Sequence, residues 1–262
     1  MSMSDSAPLA TEAEVNALAE QYYGTLGAYG YAEPLTIDPR DTVLLLVDIQ
    51  EHLSTPAIVA SLTAAGLYHE GLDPVLRAME ADLARALDNI EAVLAKCREL
   101  GIRPVHVGIQ AQLGDASDTG ALHRAAGMLY PPGSPDSAFL PQAAPLPGEA
   151  VLTKTCSGVH VGTHIDQMLR NMGVHHVIVA GFYTDQCVSS SVRDLADLGY
   201  QVGLVEDAMG AMSPQRHANA LESIRKLYAN SETTAELLDR LTALEAQLAR
   251  RAEGRAGRRH RR

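Results

Sequence analysis

The feature that most constrains this chain is a repeating alternation of short, continuously apolar runs with helical patterns. The runs are "TVLLLVDIQ" from residue 42, "IRPVHVGI" from 102, "EAVLTKT" from 149, "HHVIVAG" from 175 and "QVGLVEDA" from 201. The first is apolar almost without a break and reads as a strand covered on both faces, and the others read as further short strands. Between them lie helical patterns. Residues 73–100, "DPVLRAMEADLARALDNIEAVLAKCREL", are closed by Gly101, and "THIDQMLRNMG" ends at Gly173. "CVSSSVRDLADLGY", from 187, puts Val188, Val192 and Leu195 on one face. "SPQRHANALESIRKLYAN" has Ser213 as N-cap and Pro214 at the first position, and leaves room for a sixth strand at its end. This spacing predicts an α/β fold: a Rossmann-like parallel sheet of about six strands with helices on both faces.

The domain plan follows from the same pattern. Residues 1–40 read as an N-terminal helical extension, in which "TEAEVNALAEQYYGTL" opens with Thr11 and Glu14 in capping-box relation. Residues 41–231 carry the strand–helix repeat, 232–249 a C-terminal helix (its pattern fading by about 251), and 250–262 a basic tail expected to be unstructured. Residues 111–148, rich in Gly, Pro, Ser and Asp, predict a long irregular connection of the kind that covers a functional site.

Charge and composition exclude several classes. The net charge is −11, and the tail "RRAEGRAGRRHRR" contributes +6 of it, from seven Arg and one Glu, leaving −11 − 6 = −17 on the body. So acidic a body argues against nucleic acid as the main partner. No apolar run approaches the roughly 18 residues of a membrane span. "MSMSDSAPLATEAEV" has neither a basic start nor an apolar segment, so a cytoplasmic location is expected. Three cysteines, none in a C-x-x-C pair, suggest neither a disulfide framework nor a structural zinc site. The ten histidines converge on no metal pattern; "HVGTH" and the pair at 175–176 come nearest and are better read as packed or solvated. No metal and no cofactor are expected.

In open parallel sheets ligands bind outside the carboxyl ends of the strands. Asp48 ends "VLLLVD", Lys154 ends "AVLTK", Glu206 and Asp207 end "VGLVED", and Cys187 stands where "VIVAG" hands over to a helix. An acid, a cation and a thiol therefore converge on one edge. Taken singly, Asp48 suits a turn, Lys154 a surface and Cys187 a core; it is their common placement that suggests chemistry. A free thiol titrates at about 8.5, and both a helix N-terminus and the Lys154 ammonium would favour the thiolate. Asp48 could take the thiol proton and later return it to a leaving amine. The turn before Cys187 would aim backbone N–H groups at an acyl oxygen. Cys156, in the "TCSGV" loop, is the rival thiol; Cys97, inside a long helix, reads as packing.

These residues resemble the isochorismatase-like cysteine hydrolase superfamily. The matching segments are "LLLVDIQ", "VLTKTCSG" and "VIVAGFYTDQCVSSSVRDLADLGYQVGLVEDAMGA", in family order across about residues 41–231. The resemblance implies an Asp48–Lys154–Cys187 triad and a cis peptide at Phe182–Tyr183. It further implies an oxyanion hole built from the N–H groups of Tyr183 and Cys187. Members that hydrolyse isochorismate, a vinyl ether, do not need the cysteine, so its presence here favours C–N hydrolysis. Nicotinamidase-type members carry an Asp-x-His metal site after the first strand, whereas this chain has His52 at another spacing. The expected activity is therefore that of a metal-free amidase acting on a small amide, ureido, carbamoyl, maleamate-like or lactam substrate through an acyl-enzyme. The alternatives are an isochorismatase-type vinyl-ether hydrolase with Asp48 as general acid, or a carrier or regulatory protein that keeps the fold without turnover. Glu51, His52, His160, Tyr183 and Gln186 are pocket candidates by position, and the 50–72 and 109–140 segments are the expected specificity determinants. Family likeness also implies a homo-oligomer, dimer or tetramer; the N-terminal helix, which lies outside the resemblance, is a candidate for wrapping a neighbour.

Overall fold

The computed structural model describes residues 10–25 and 34–259. Its centre is one six-stranded sheet in the order β3-β2-β1-β4-β5-β6. The strands are β1 (Thr42–Val47), β2 (Arg103–Ile109), β3 (Ala150–Lys154), β4 (His176–Phe182), β5 (Gln201–Gly210) and β6 (Asn230–Glu232). Every pairing is parallel. The expected sheet is therefore present, and its sixth strand is a three-residue polar edge.

Helices cover both faces. On one side α5 (Ile165–Asn171), α6 (Ser189–Asp197) and α7 (Pro214–Ile224) bury Ile165, Leu169, Val192, Leu195, Leu221 and Ile224 against Val43, Leu45, Val47, Val107, Val179 and Leu204. On the other, α3 (Asp73–Leu100) and α8 (Thr234–Arg259) set Ile90, Val93, Leu94, Cys97, Leu237 and Leu241 against Leu44, Leu46, Ile178 and Val205. Strand residues two apart thus share a face, as the pleat requires. α3 ends where its sequence says: Gly101 adopts a left-handed φ of 75°, and its N–H returns to the Arg98 carbonyl. Two short helices, α2 (Thr55–Ala64) and α4 (Ala121–Ala125), lie in the connections after β1 and β2.

At the N-terminus α1 (Glu12–Thr25) is capped as expected, with Thr11 N–H donating to Glu14 Oε2 at 2.7 Å and Glu14 N–H to Thr11 Oγ1 at 3.3 Å. Its apolar side chains Val15, Leu18 and Tyr22 are exposed. The C-terminus corrects an expectation. α8 continues to Arg259, so most of the basic segment expected to be unstructured is helical. Alanine, arginine and glutamate are strong helix formers, and extending an existing helix needs no new nucleus, so Gly254 and Gly257 do not stop it. Residues 1–9, 26–33 and 260–262, parts of both expected extensions, lie outside the described residues. Among those described, no helix is long and apolar enough to cross a membrane.

The chain runs from β1 outward through β2 to β3, then returns to place β4 on the other side of β1. The strand order therefore reverses between β1 and β4, and a crevice opens there at the carboxyl ends. Asp48 follows β1 and Cys187 follows β4, so both flank that point. Lys154 ends β3, beyond the intervening β2, and only a long side chain can reach the crevice from there.

Candidate active site

Each member of the cluster is positioned by a departure from regular structure. Val47 faces the α5–α7 side, so a regular continuation would turn Asp48 to the opposite face. Instead Asp48 takes a left-handed φ of 52°, and its N–H donates to the Val107 carbonyl at 2.8 Å. Aspartate tolerates this region better than most residues, yet backbone held there is sparsely populated and marks a functional position. Beside it, Gly181 has φ 125°, and a Cβ there would stand 2.1 Å from the Val47 carbonyl oxygen. No other residue fits, and β4 can approach β1 this closely only with glycine.

The peptide between Phe182 and Tyr183 is cis, as the family resemblance implied. Thr184–Val188 then forms a single π-type turn, closed by Val188 N–H on the Tyr183 carbonyl at 3.2 Å. Cys187 lies in this turn, and the regular helix α6 begins only at Ser189. The cysteine therefore stands just before the helix rather than opening it, a correction to the sequence reading. Single π-turns of this kind recur at functional sites. Thr184 anchors the turn: its hydroxyl donates to the Gly210 carbonyl at 3.0 Å and meets His217 Nδ1 at 2.8 Å. With the hydroxyl proton committed to a carbonyl, His217 Nδ1 is the donor in the second bond.

The structure brings Asp48, Lys154 and Cys187 together. Lys154 Nζ donates to Asp48 Oδ2 at 2.7 Å, to the Cys156 carbonyl at 3.0 Å and to Cys187 Sγ at 3.3 Å. An ammonium has three protons, and all three are used. Lys154 and Asp48 are each 1 % exposed and Cys187 is 5 % exposed. Asp48 Oδ1 is buried with no hydrogen-bond partner among the described residues. It is thus an acceptor held open beside a thiol.

Electrostatics refine the expectation about the nucleophile. Burial disfavours the Lys154 charge, but Asp48 and Cys187 together outweigh it and hold the ammonium above its usual range. Cys187 behaves differently. Burial, reinforced by the Asp48 carboxylate, pushes its thiol up to about 12 against the pull of Lys154. The sequence suggested a thiolate favoured by Lys154 and a helix terminus; the buried site instead holds a neutral thiol beside an Asp48–Lys154 ion pair. Its proton must leave during the reaction.

The remaining candidates separate. Tyr183 is half-buried, its hydroxyl pushed up to about 12 by burial, and with Phe182 it lines a cavity of about 500 Å³ that includes none of the three clustered residues. His52 is half-buried and stacks on Tyr130, with ring centroids 5.7 Å apart. Glu51 is half-buried in the same turn, where its N–H donates to the Ala138 carbonyl at 2.9 Å. Gln186 is exposed. His160 is not gathered in: its nearest carboxylates are Asp194, at 3.7 Å, and Asp166, because the loop after β3 turns it toward α5 and α6. The rival thiol Cys156 is spent on the backbone, its sulfur donating to the Val161 carbonyl at 2.7 Å. Cys97 is fully buried under the sheet. Among the described residues no three His, Cys, Asp or Glu side chains are grouped to hold a metal ion.

Two residues near the cluster escaped the sequence reading. Gln50 is buried and joins three segments: its side-chain amide donates to the Ser137 carbonyl at 2.7 Å and accepts from Ile109 N–H at 2.7 Å. It holds the ends of β1 and β2 to the long connection above them. His123, from α4, is 4 % exposed and senses the charges of Lys154, Asp48 and His52. A lone histidine in an irregular segment carries no periodic signal; only its place in the segment expected to cover a site could have pointed to it.

Comparison with known proteins agrees with this fold. The chain is 27 % identical over 207 residues to maleamate amidohydrolase of Pseudomonas putida, covering 78 % of this chain and 89 % of that one. It is 26 % identical over 221 residues to ureidoacrylate amidohydrolase of Caulobacter segnis, covering 78 % and 87 %. Among solved structures, a cysteine hydrolase from Pseudomonas syringae pv. phaseolicola superposes with a TM-score of 0.64 at 23 % identity, over 80 % of this chain and 98 % of that one. The isochorismatase domain model matches residues 42–236, from the start of β1 into α8, and the chain belongs to the isochorismatase family.

Proposed function

We propose that this chain hydrolyses the C–N bond of a small amide through a covalent acyl-enzyme on Cys187. The observation that carries the reading is the buried cluster in which one ammonium spans a carboxylate and a thiol, at 2.7 and 3.3 Å. The amidohydrolase relatives support the reaction class.

The chemistry follows from the proton positions. Lys154 occupies Asp48 Oδ2, so the thiol proton moves to the open Oδ1 as sulfur attacks the carbonyl carbon. The carbonyl π electrons move to oxygen, and the N–H groups of Tyr183 and Cys187 receive the oxyanion. When the tetrahedral adduct collapses, the C–N bond breaks and nitrogen leaves with the proton from Asp48. Water then gives a proton to Asp48 as its oxygen adds to the thioester. The C–S bond breaks and sulfur recovers the proton, restoring the starting state. Lys154 keeps its charge throughout, offsetting charge that shifts between Asp48 and the sulfur. A thiol that keeps its proton until attack suits this path, because Asp48 Oδ1 stands open to take that proton as it leaves.

Ammonia release from a panel of primary amides and ureido compounds, with ring opening of lactams followed as amino-acid product, run beside hydrolysis of isochorismate, tests the reading. Turnover of at least one C–N substrate, with isochorismate untouched, is expected. Turnover of isochorismate alone would assign Asp48 the role of general acid to a vinyl ether and leave Cys187 without a part.

A further inference from the structure

We infer that His217 is a positioning residue: by holding Thr184 it keeps the turn that carries Cys187 in its reactive geometry. The part Cys187 plays rests on the amide chemistry proposed above, whereas the clamp itself rests on distances.

Local sequence puts His217 where it can grip. Ser213 caps α7, its Oγ accepting from Arg216 N–H at 3.3 Å, and Pro214 stands at the start of the helix. His217 N–H closes the first turn on the Ser213 carbonyl at 3.1 Å. The cap thus sets two neighbouring side chains against the π-type turn after β4. Arg216 Nε donates to Asp185 Oδ2 at 2.5 Å, and His217 Nδ1 donates to Thr184 Oγ1 at 2.8 Å.

The two grips differ in kind. The Arg216 side chain is 58 % exposed, so water competes for its pairing. Thr184 is fully buried, and its hydroxyl joins His217 on α7 to the Gly210 carbonyl at the end of β5, at 3.0 Å. It lies between Tyr183 and Cys187, whose N–H groups receive the oxyanion in the proposed reaction. One buried hydroxyl therefore ties the nucleophile's turn to both a helix and a strand.

Histidine suits this task. With the Thr184 proton committed to Gly210, the helix must supply the donor, and imidazole keeps its Nδ1–H whether neutral or charged. Burial holds the ring below its usual range; Arg225 acts in the same direction, and Glu206 and Asp185 oppose it. Titration then adds or removes the proton at Nε2 alone, so the clamp is indifferent to pH. His217 also borders the cavity of about 500 Å³ that Tyr183 and Gly210 line, so a shorter side chain widens an opening rather than hollowing the core.

Two substitutions separate the donor from the bulk. His217→Asn places an amide N–H where Nδ1–H stands, and His217→Leu fills the space with no donor. His217→Leu should lower kcat for a hydrolysed amide by about 100-fold with KM changed less than about twofold, the scale of a misplaced reacting group. His217→Asn should keep most of the rate and leave the pH profile unchanged. Amide hydrogen exchange across residues 184–188, which needs no turnover, should quicken in His217→Leu and stay near native in His217→Asn. In a Thr184→Val background, His217→Leu should bring no further loss, because the bond is already gone. Native exchange or a native rate in His217→Leu would overturn the inference, as would an additive loss in the Thr184→Val background. So would a His217→Asn protein that is as slow as His217→Leu or lacks a limb of the pH profile. Failure of the amidase reading would be seen elsewhere, as hydrolysis that survives Cys187→Ala while the exchange pattern stands.

Discussion

Cys187→Ala should lower kcat/KM for the amide substrate by about 10⁵-fold or more, the scale on which removing a covalent nucleophile acts. The fold should survive, because the side chain is small and the turn that carries it is held by other groups: Thr184 on Gly210 and His217, and Ser191 Oγ on the Cys187 carbonyl at 2.6 Å. Cys187→Ser should fail almost as badly despite its shape. A hydroxyl is far less acidic than a thiol, and this site already holds even the thiol neutral. Cys156→Ala, in contrast, should keep its rate, since that sulfur donates to the Val161 carbonyl and only its backbone meets Lys154. Rates of ammonia release and unfolding midpoints on the three variants check the set. Near-native turnover by Cys187→Ala would remove the acyl-enzyme from the account.

The second large effect concerns the ion pair. Lys154 and Asp48 are buried against each other at 2.7 Å. Desolvating two charges is offset only while both are present, so removing one typically costs about 3–5 kcal/mol. Lys154→Met should therefore lower stability by about that amount and abolish activity, the thiol losing its one favourable charge. Asp48→Asn/Lys154→Met removes both charges and should recover most of the stability while remaining inactive. Denaturant midpoints on the two variants, read beside rates, separate the contribution to folding from the contribution to catalysis. A Lys154→Met protein as stable as the native chain would contradict the buried pairing.

How much of this was legible in the sequence differs from element to element. β1 and β4 could be read directly, because strands covered on both faces carry unbroken apolar runs, as "VLLLV" and "VIVAGF" within them do. The ends of those runs and of β3 then named Asp48, Cys187 and Lys154, since a polar residue closing a buried strand has few places to go but the crevice. β6 was faint because three half-exposed polar residues carry no pattern. His123 and Gln50 could not be named, since they lie in connections whose geometry is set by contacts far apart in the chain, such as Gln50 with Ser137. The direction of the Cys187 shift was missed for a related reason. Sequence shows which charges are near a thiol but not how completely it is buried, and here burial outweighs Lys154. α8 outran its expected end because glycine and arginine composition suggested a tail, while the established helix carried its regular backbone onward.

The central claim is that the acyl group rests on Cys187 during turnover. Rapid acid quenching of the protein with an amide that it hydrolyses, followed by mass spectrometry of the intact chain and its peptides, tests this most directly. The account predicts a mass increase equal to the acyl group, confined to the peptide bearing Cys187, labile to hydroxylamine, and absent from Cys187→Ala. Turnover with no adduct on the native chain at any quench time, or an adduct on Cys156 instead, would contradict it.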